Sequence, residues 1–124
     1  MNPAPPDHDR QTDLIDPSRA AAFQIALGQA ATIESGDPLP PFFHQLYFWS
    51  PMPPDELGRD GHPGIGGLIP DLGLPRRMWA GGRLIFNHPL CAGIPAERQS
   101  ICESQLRKVG RTGPLGFVTL RHEI

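Results

Sequence analysis

The sequence is poor in lysine and cysteine, and it contains no long apolar run. Lys108 is its one lysine, and 11 basic residues face 13 acidic ones, for a formal net charge of -2. That balance provides no broad positive field to hold a nucleic-acid backbone, so nucleic acid is not an expected partner. Every apolar run is far shorter than the ~18 residues that cross a bilayer, and the N-terminus has no apolar signal core. A soluble, cytoplasmic protein that does not bind membranes is therefore expected.

The two cysteines, Cys91 and Cys102, form no Cys-x-x-Cys pair. Packed, reduced thiols are expected, rather than a disulfide or a zinc site completed by His44 and His88. The sequence also lacks a Gly-x-Ser-x-Gly elbow and a Walker-type phosphate loop, and its "GIGG" cluster lacks the strand-to-helix setting of a nucleotide fingerprint. These absences leave no signature of nucleophilic catalysis or of a bound metal.

Proline and glycine are abundant, at 16 and 14 of 124 residues, and they predict long irregular segments. Residues 1–12 are predicted to be a disordered arm, because proline and charge dominate them. Residues 13–124 are predicted to form one domain. Within it, residues 50–75 are predicted to be a long loop packed on the surface, as in a functional lid or binding loop.

The regular elements are predicted from caps and periodicity. Asp16 is expected to cap a helix over residues 17–29, and the aromatic-rich stretch 42–49 fits a short buried helix. Period-two patterns then predict three strands, at residues 79–86, 97–109 and 115–124. Helices followed by antiparallel strands are typical of an α+β domain, and a last strand left at the sheet edge needs a partner.

Four segments in this order resemble a known family: "GDPLPPFFHQLYFWSP", "DGHPGIGG", "LPRRMWAGGRLIFNHPL" and "GPLGFVTLRHEI". They are similar to the N-terminal half of the MaoC-like dehydratases of the fatty-acid-synthase type, which include mesaconyl-CoA hydratases and hydroxyacyl-thioester dehydratases. The resemblance implies a hot dog fold, in which an antiparallel sheet wraps around a central helix. It also implies a homo- or hetero-oligomer with another hot dog unit, and acyl-CoA or acyl-carrier-protein thioesters as substrates in fatty acid metabolism. No cofactor is implied.

The departures from the family are as informative as the match. The family's catalytic unit carries an Asp-x-Asn-Pro-x-His signature, whose aspartate and histidine activate a water. This chain has no such signature: Asp37 and His44 have a similar spacing without the asparagine, and Ile94 stands where the family usually has an aspartate. The final hot dog strand is expected beyond Ile124. No catalytic residue is therefore assigned, and the chain is expected to be the non-catalytic half of a hydratase or dehydratase, either as a natural subunit or as a truncated product.

Seven residues are candidates for substrate binding: Arg76, Arg77, Trp79, Gly81, Gly82, His44 and His62. Guanidinium forks suit coenzyme A phosphates or an acyl carboxylate, although surface ion pairs explain such arginines equally well. Trp79 is either a slot wall or core. The twin glycines either admit a thioester or a partner's helix close to the backbone, or form a bulge. The two histidines have structural alternatives, as a backbone-bonded ring and a turn residue.

Two other functions remain open. One is a hot dog protein that binds acyl-CoA, or only stabilises a complex, without activity. The other is a thioesterase, because the same fold also hosts thioester hydrolysis and fold alone is a weak guide to function.

Overall fold

The computed structural model describes residues 8–63 and 67–124, and the chain divides into two compact units. We call Ser50–Gly81 with Arg98–Ile124 the hairpin unit, to which the described residues up to Arg10 also belong. Gln11–Trp49 with Gly82–Glu97 is called the helix unit. One of the points at which the chain passes from one unit to the other therefore falls between the twin glycines.

The regular elements are three strands and one α-helix within the described residues. They are β1 His8–Leu14, α1 Pro17–Ala26, β2 Pro95–Gly110 and β3 Gly113–Glu123, with short 3-10 helices at Phe43–Leu46 and Pro54–Glu56. The sheet order is β1-β2-β3, and β2 pairs with β3 antiparallel. The predicted α+β class is therefore confirmed. Within this described part, no helix is both long and apolar enough to cross a membrane.

Helix α1 begins where the sequence predicts. The carboxylate of Asp16 accepts hydrogen bonds from the Ser18 backbone N–H at 2.9 Å and from the Ser18 hydroxyl at 2.8 Å, and Pro17 occupies the first turn. The helix ends at Ala26 rather than at residue 29, because Gly28 adopts a left-handed φ of 76°.

The core of the helix unit is built by the aromatic stretch. Tyr47 and Phe48 are buried together with Ile15, and the predicted short helix is confirmed over Phe43–Leu46 as a single 3-10 segment. The expected burial does not extend to the ends of the stretch, where Phe42 is 58% and Trp49 69% exposed. A 3-10 helix of four residues buries only part of so many rings.

The hairpin unit is built on β2 and β3. Gly110 pairs with Gly113 around a tight turn, and the strands predicted at 97–109 and 115–124 are confirmed to within two residues at each end. The register shifts between Cys102 and Ser104, so Glu103 is the extra residue of a β-bulge. Cys91 and Cys102 are free thiols, each half-buried.

Two predictions are corrected. The predicted strand at residues 79–86 is absent. Alternation of side chains along the sequence is not enough to make a strand, because a strand also needs a neighbouring strand to which its backbone can hydrogen-bond. Conversely, residues 8–12 lie in β1 and not in a disordered arm. Backbone hydrogen bonds to β2 order this polar segment, which has too few apolar side chains to be ordered by packing. Residues 1–7 of that arm lie outside the described residues.

The predicted loop over 50–75 has irregular backbone in its described parts, 50–63 and 67–75, apart from the turn Pro54–Glu56 and an isolated bridge between Leu57 and Pro63. Residues 64–66 lie outside the described residues. This loop provides the walls of the pocket described next.

Candidate functional site

A pocket of about 580 Å³ lies within the hairpin unit. Its described lining consists of residues 58–60 with Pro63, in the long loop, and of residues 74–77, which span the end of that loop. Arginine, aspartate, leucine and proline side chains meet there, so the pocket combines charge with apolar surface.

A contact between Arg77 and Asp60 joins the two segments that line the pocket. The Arg77 Nε donates to Asp60 Oδ2 at 3.2 Å, and its Nη2 donates to Asp60 Oδ1 at 3.4 Å. The same Nη2 also donates to the Pro63 carbonyl at 3.4 Å. This two-point contact fixes the orientation of the guanidinium plane at the rim of the pocket.

Asp60 is itself held by the turn that follows it. The His62 backbone N–H donates to Asp60 Oδ1 at 3.1 Å, and the Gly58 N–H donates to the His62 carbonyl at 2.6 Å. Between them Gly61 has a φ of 79°, a region that glycine occupies without strain. The His62 N–H first, and Arg77 second, lower the pKa of the Asp60 carboxyl from its ordinary value of 3.8. Asp60 is therefore a stable carboxylate at neutral pH.

The apolar wall is positioned by the hairpin strands. The Arg107 Nη2 on β2 donates to the Leu72 carbonyl at 2.9 Å. On β3, a Cβ placed on Gly116 would lie 2.5 Å from Leu72 Cδ1 and 3.1 Å from Leu74 Cδ1, so these leucines pack directly over the glycine backbone. The sheet thus holds Leu74 in place as a pocket wall.

The charge in the pocket is unbalanced. Among the described lining residues, Arg59, Arg76 and Arg77 are accompanied by a single carboxylate, that of Asp60, which leaves two net positive charges. Arg59 and Arg76 have no hydrogen bond or ion pair to any residue that the structure describes. Two unpaired guanidinium forks beside apolar surface suit an anionic ligand that also carries an apolar or aromatic part.

The structure brings some of the predicted site residues together and leaves others apart. Arg76 and Arg77 line the pocket, and the His62 ring, 70% exposed, lies with its Nδ1 3.6 Å from Asp60 Oδ2. Trp79 does not line it and is 81% exposed, so the alternative of a core tryptophan is wrong. No atom of the described residues lies within 4 Å of the position that a Cβ on Gly81 would take.

The remaining two candidates, His44 and Gly82, belong to the helix unit. The His44 ring is half-buried and stacks on Phe42, with the ring centroids 6.4 Å apart. Gly82 is exposed.

Two charged pocket residues, Arg59 and Asp60, were not predicted from the sequence. The available signal was the Asp60-Gly61 dipeptide, which is typical of a tight turn and therefore of a fixed carboxylate. Arg59 beside it carries no comparable local signal.

A serine and a histidine meet elsewhere in the hairpin unit. Ser100 Oγ on β2 lies 2.6 Å from His122 Nδ1 on β3, at a paired position of the ladder. Ser100 is only 2% exposed, so its hydroxyl is sealed from solvent. The pair joins two strands, and its geometry is unsuited to attack on a substrate.

The small α+β architecture, one helix with a three-stranded sheet, is consistent with a partial hot dog fold. Residues 42–124 match the family described as hydroxyacyl-thioester dehydratase type 2, and the chain belongs to that family. The resemblance to MaoC-like dehydratases is thereby confirmed. The chain is also 44% identical over 106 residues to the mesaconyl-C(4)-CoA hydratase of Chloroflexus aurantiacus. That alignment covers 80% of this chain and 38% of the relative, so the chain spans well under half the relative's length.

Proposed function

We propose that this chain is the non-catalytic half of an acyl-thioester hydratase or dehydratase, which contributes pocket wall and interface to a catalytic hot dog unit. The proposal is carried by the 44% identity to a mesaconyl-C(4)-CoA hydratase, joined to the absence of an Asp-x-Asn-Pro-x-His signature from these 124 residues. A short unsaturated acyl thioester, carried on coenzyme A or on acyl carrier protein, is the proposed substrate.

The chemistry of the pocket supports a binding role. Hydration of an unsaturated thioester needs a base for the water, an acid for the α-carbon and donors for the enolate oxygen. The one pocket carboxylate, Asp60, is engaged by Arg77, and its pKa is lowered, which makes it a poor base near neutral pH. The described residues of the pocket therefore supply charge and shape, and the proton transfers are left to the catalytic unit.

Mixing the full chain with a separately produced unit that carries the signature tests this proposal. We expect hydration of mesaconyl-CoA or crotonyl-CoA by the mixture, and neither chain should equal it alone. A partner whose signature aspartate is replaced by asparagine is the matched control and should give no turnover. Turnover by this chain alone would show that the non-catalytic assignment is wrong.

A second candidate is a protein that binds acyl-CoA without taking part in turnover. It is favoured by the positive charge of the pocket and by the pairing of Asp60 with Arg77, which leaves no unpaired carboxylate among the described lining residues. It predicts that acyl-CoA binds the chain while the mixture shows no hydration. Measuring free thiol in the same mixtures separates both candidates from a thioesterase, which would release thiol unaided.

A further inference from the structure

We infer that the pocket lined by Arg59, Arg76 and Arg77 binds the phosphorylated adenosine end of coenzyme A. The inference rests on the proposed function for the identity of the carrier, and it names the part of the substrate that this pocket holds. On this inference, the acyl group and the reacting carbon of the substrate lie outside this pocket.

Charge is the first argument. Asp60 offsets one of the three guanidiniums, and the remaining two positive charges match a phosphate dianion such as the 3′-phosphate of coenzyme A. Guanidinium forks bind phosphate oxygens in pairs, and Arg59 and Arg76 have all their donors available among the described residues. A single acyl carboxylate would leave one of these forks without a partner.

Size and lining are the second argument. The pocket volume of about 580 Å³ lies within the range of small-molecule sites, about 300–1,000 Å³, and a phosphate ion alone would fill a small part of it. Pro63, Leu74 and Pro75 add apolar surface beside the arginines. A nucleoside phosphate combines a flat apolar face with charge, which is the combination this lining offers.

Preorganisation is the third argument. The ion pair between Arg77 and Asp60 fixes one wall, and the packing of Leu74 over Gly116 fixes the other. A ligand that enters therefore has to order only the side chains of Arg59 and Arg76, which limits the entropy lost on binding.

The probe is adenosine 3′,5′-bisphosphate, titrated calorimetrically into the full chain. We expect it to bind, with an affinity that falls as salt is added because the contacts are exposed ion pairs. Coenzyme A should bind as well, dephospho-coenzyme A more weakly, and pantetheine not measurably. Inorganic phosphate and adenosine diphosphate in parallel titrations distinguish the coenzyme from other phosphate sources.

Four variants locate the site. Arg59→Ala and Arg76→Ala should each weaken bisphosphate binding about tenfold or more, since each removes a charge-assisted contact. Arg76→Lys keeps the charge without the fork and should lose part of the affinity. Arg111→Ala, at the exposed turn between β2 and β3, is the matched control and should leave binding unchanged. Circular dichroism checks that each variant is folded.

The outcomes separate this inference from the proposed function. If coenzyme A binds the alanine variants as tightly as the original chain, or if inorganic phosphate competes as well as the bisphosphate, the pocket assignment is overturned while hydration by the mixture still stands. If the bisphosphate binds and Arg76→Ala abolishes binding, but no catalytic unit restores hydration, the pocket assignment stands and the proposed function fails. Failure of the bisphosphate to bind the folded chain also overturns the inference.

Discussion

Arg77 and Asp60 are 17 residues apart in sequence, yet both carboxylate oxygens of Asp60 accept hydrogen bonds from the Arg77 guanidinium. The pair links the two segments that line the pocket, residues 58–60 and 74–77. Exposed ion pairs contribute little to global stability, so its main effect is to fix local geometry.

Asp60 should make a small contribution to the acid limb of the stability curve, in keeping with its exposure. Its pKa in the folded chain lies below the ordinary 3.8, so its stabilising contribution is present above that pH and is lost as the pH falls through the folded pKa. Asp60→Asn cannot titrate and should flatten the fall in melting temperature below about pH 4. Asp55→Asn, on the exposed turn Pro54–Glu56, is the control; an unchanged acid limb in Asp60→Asn would contradict the role of the pair.

Arg107 should control the order of the apolar pocket wall. Arg107→Ala removes the 2.9 Å hydrogen bond to the Leu72 carbonyl, a contact worth about 1 kcal/mol. We expect amide exchange at Gly73 to become about fivefold faster. Lys108→Ala is the matched control, because Lys108 lies over the Phe117 ring at 5.4 Å instead. Equal exchange rates in the two variants would show that Arg107 does not hold the loop.

A substitution at Gly81 should distinguish an effect on the stability of the chain from an effect on the approach of a substrate or partner. Because no atom of the described residues lies within 4 Å of its Cβ position, Gly81→Val should change the free energy of unfolding by less than about 0.5 kcal/mol. If a thioester or a partner's helix approaches the backbone there, the same variant should nevertheless reduce hydration by the mixture.

Gly116→Ala is the contrast to that variant. Its Cβ would meet the terminal methyl groups of Leu72 and Leu74, which must shift to admit it, so it should destabilise the chain by about 1 kcal/mol, more than Gly81→Val does. Thermal unfolding of both glycine variants, alongside the mixing assay, makes the comparison. Full hydration by Gly81→Val would remove the reason for assigning a close approach at that position.

Tyr47 should stabilise the helix unit through its hydroxyl. The hydroxyl donates to the Asp16 carbonyl at 2.6 Å, and Tyr47→Phe removes this hydrogen bond at a cost of about 1 kcal/mol in denaturant unfolding. Burial raises the pKa of Tyr47 above 10.0, so the stability it provides should be full below about pH 10 and be lost as the pH rises through the folded pKa. Tyr47→Phe should weaken that alkaline loss, and an unaltered alkaline limb would contradict this assignment.

Local signals predicted the fold where the physics is local. The cap at Asp16 and the tight turn between β2 and β3 depend on a few neighbouring residues, and both are found where the sequence places them. Strand pairing is a long-range property. The alternating residues 79–86 therefore have no strand partner in the described structure, whereas polar β1 gains one.

The residues of the candidate site also divide into those with a local signal in the sequence and those without one. Arg76 and Arg77 were found because their residue type suits anions, and they are adjacent in the chain. Asp60 was missed because its role depends on a contact with Arg77 across 17 residues, which periodicity does not report.

The exposed apolar side chains of the segment between Pro75 and Asn87 have a practical consequence. Met78 is 89% exposed, Ile85 70% and Phe86 61%, on a backbone that has no ladder partner in the described structure. Such stretches promote self-association in concentrated samples, although Arg83 and the twin glycines interrupt this one. Purification of the chain by itself should therefore show concentration-dependent light scattering, and co-expression with a binding companion should raise the yield of monodisperse material.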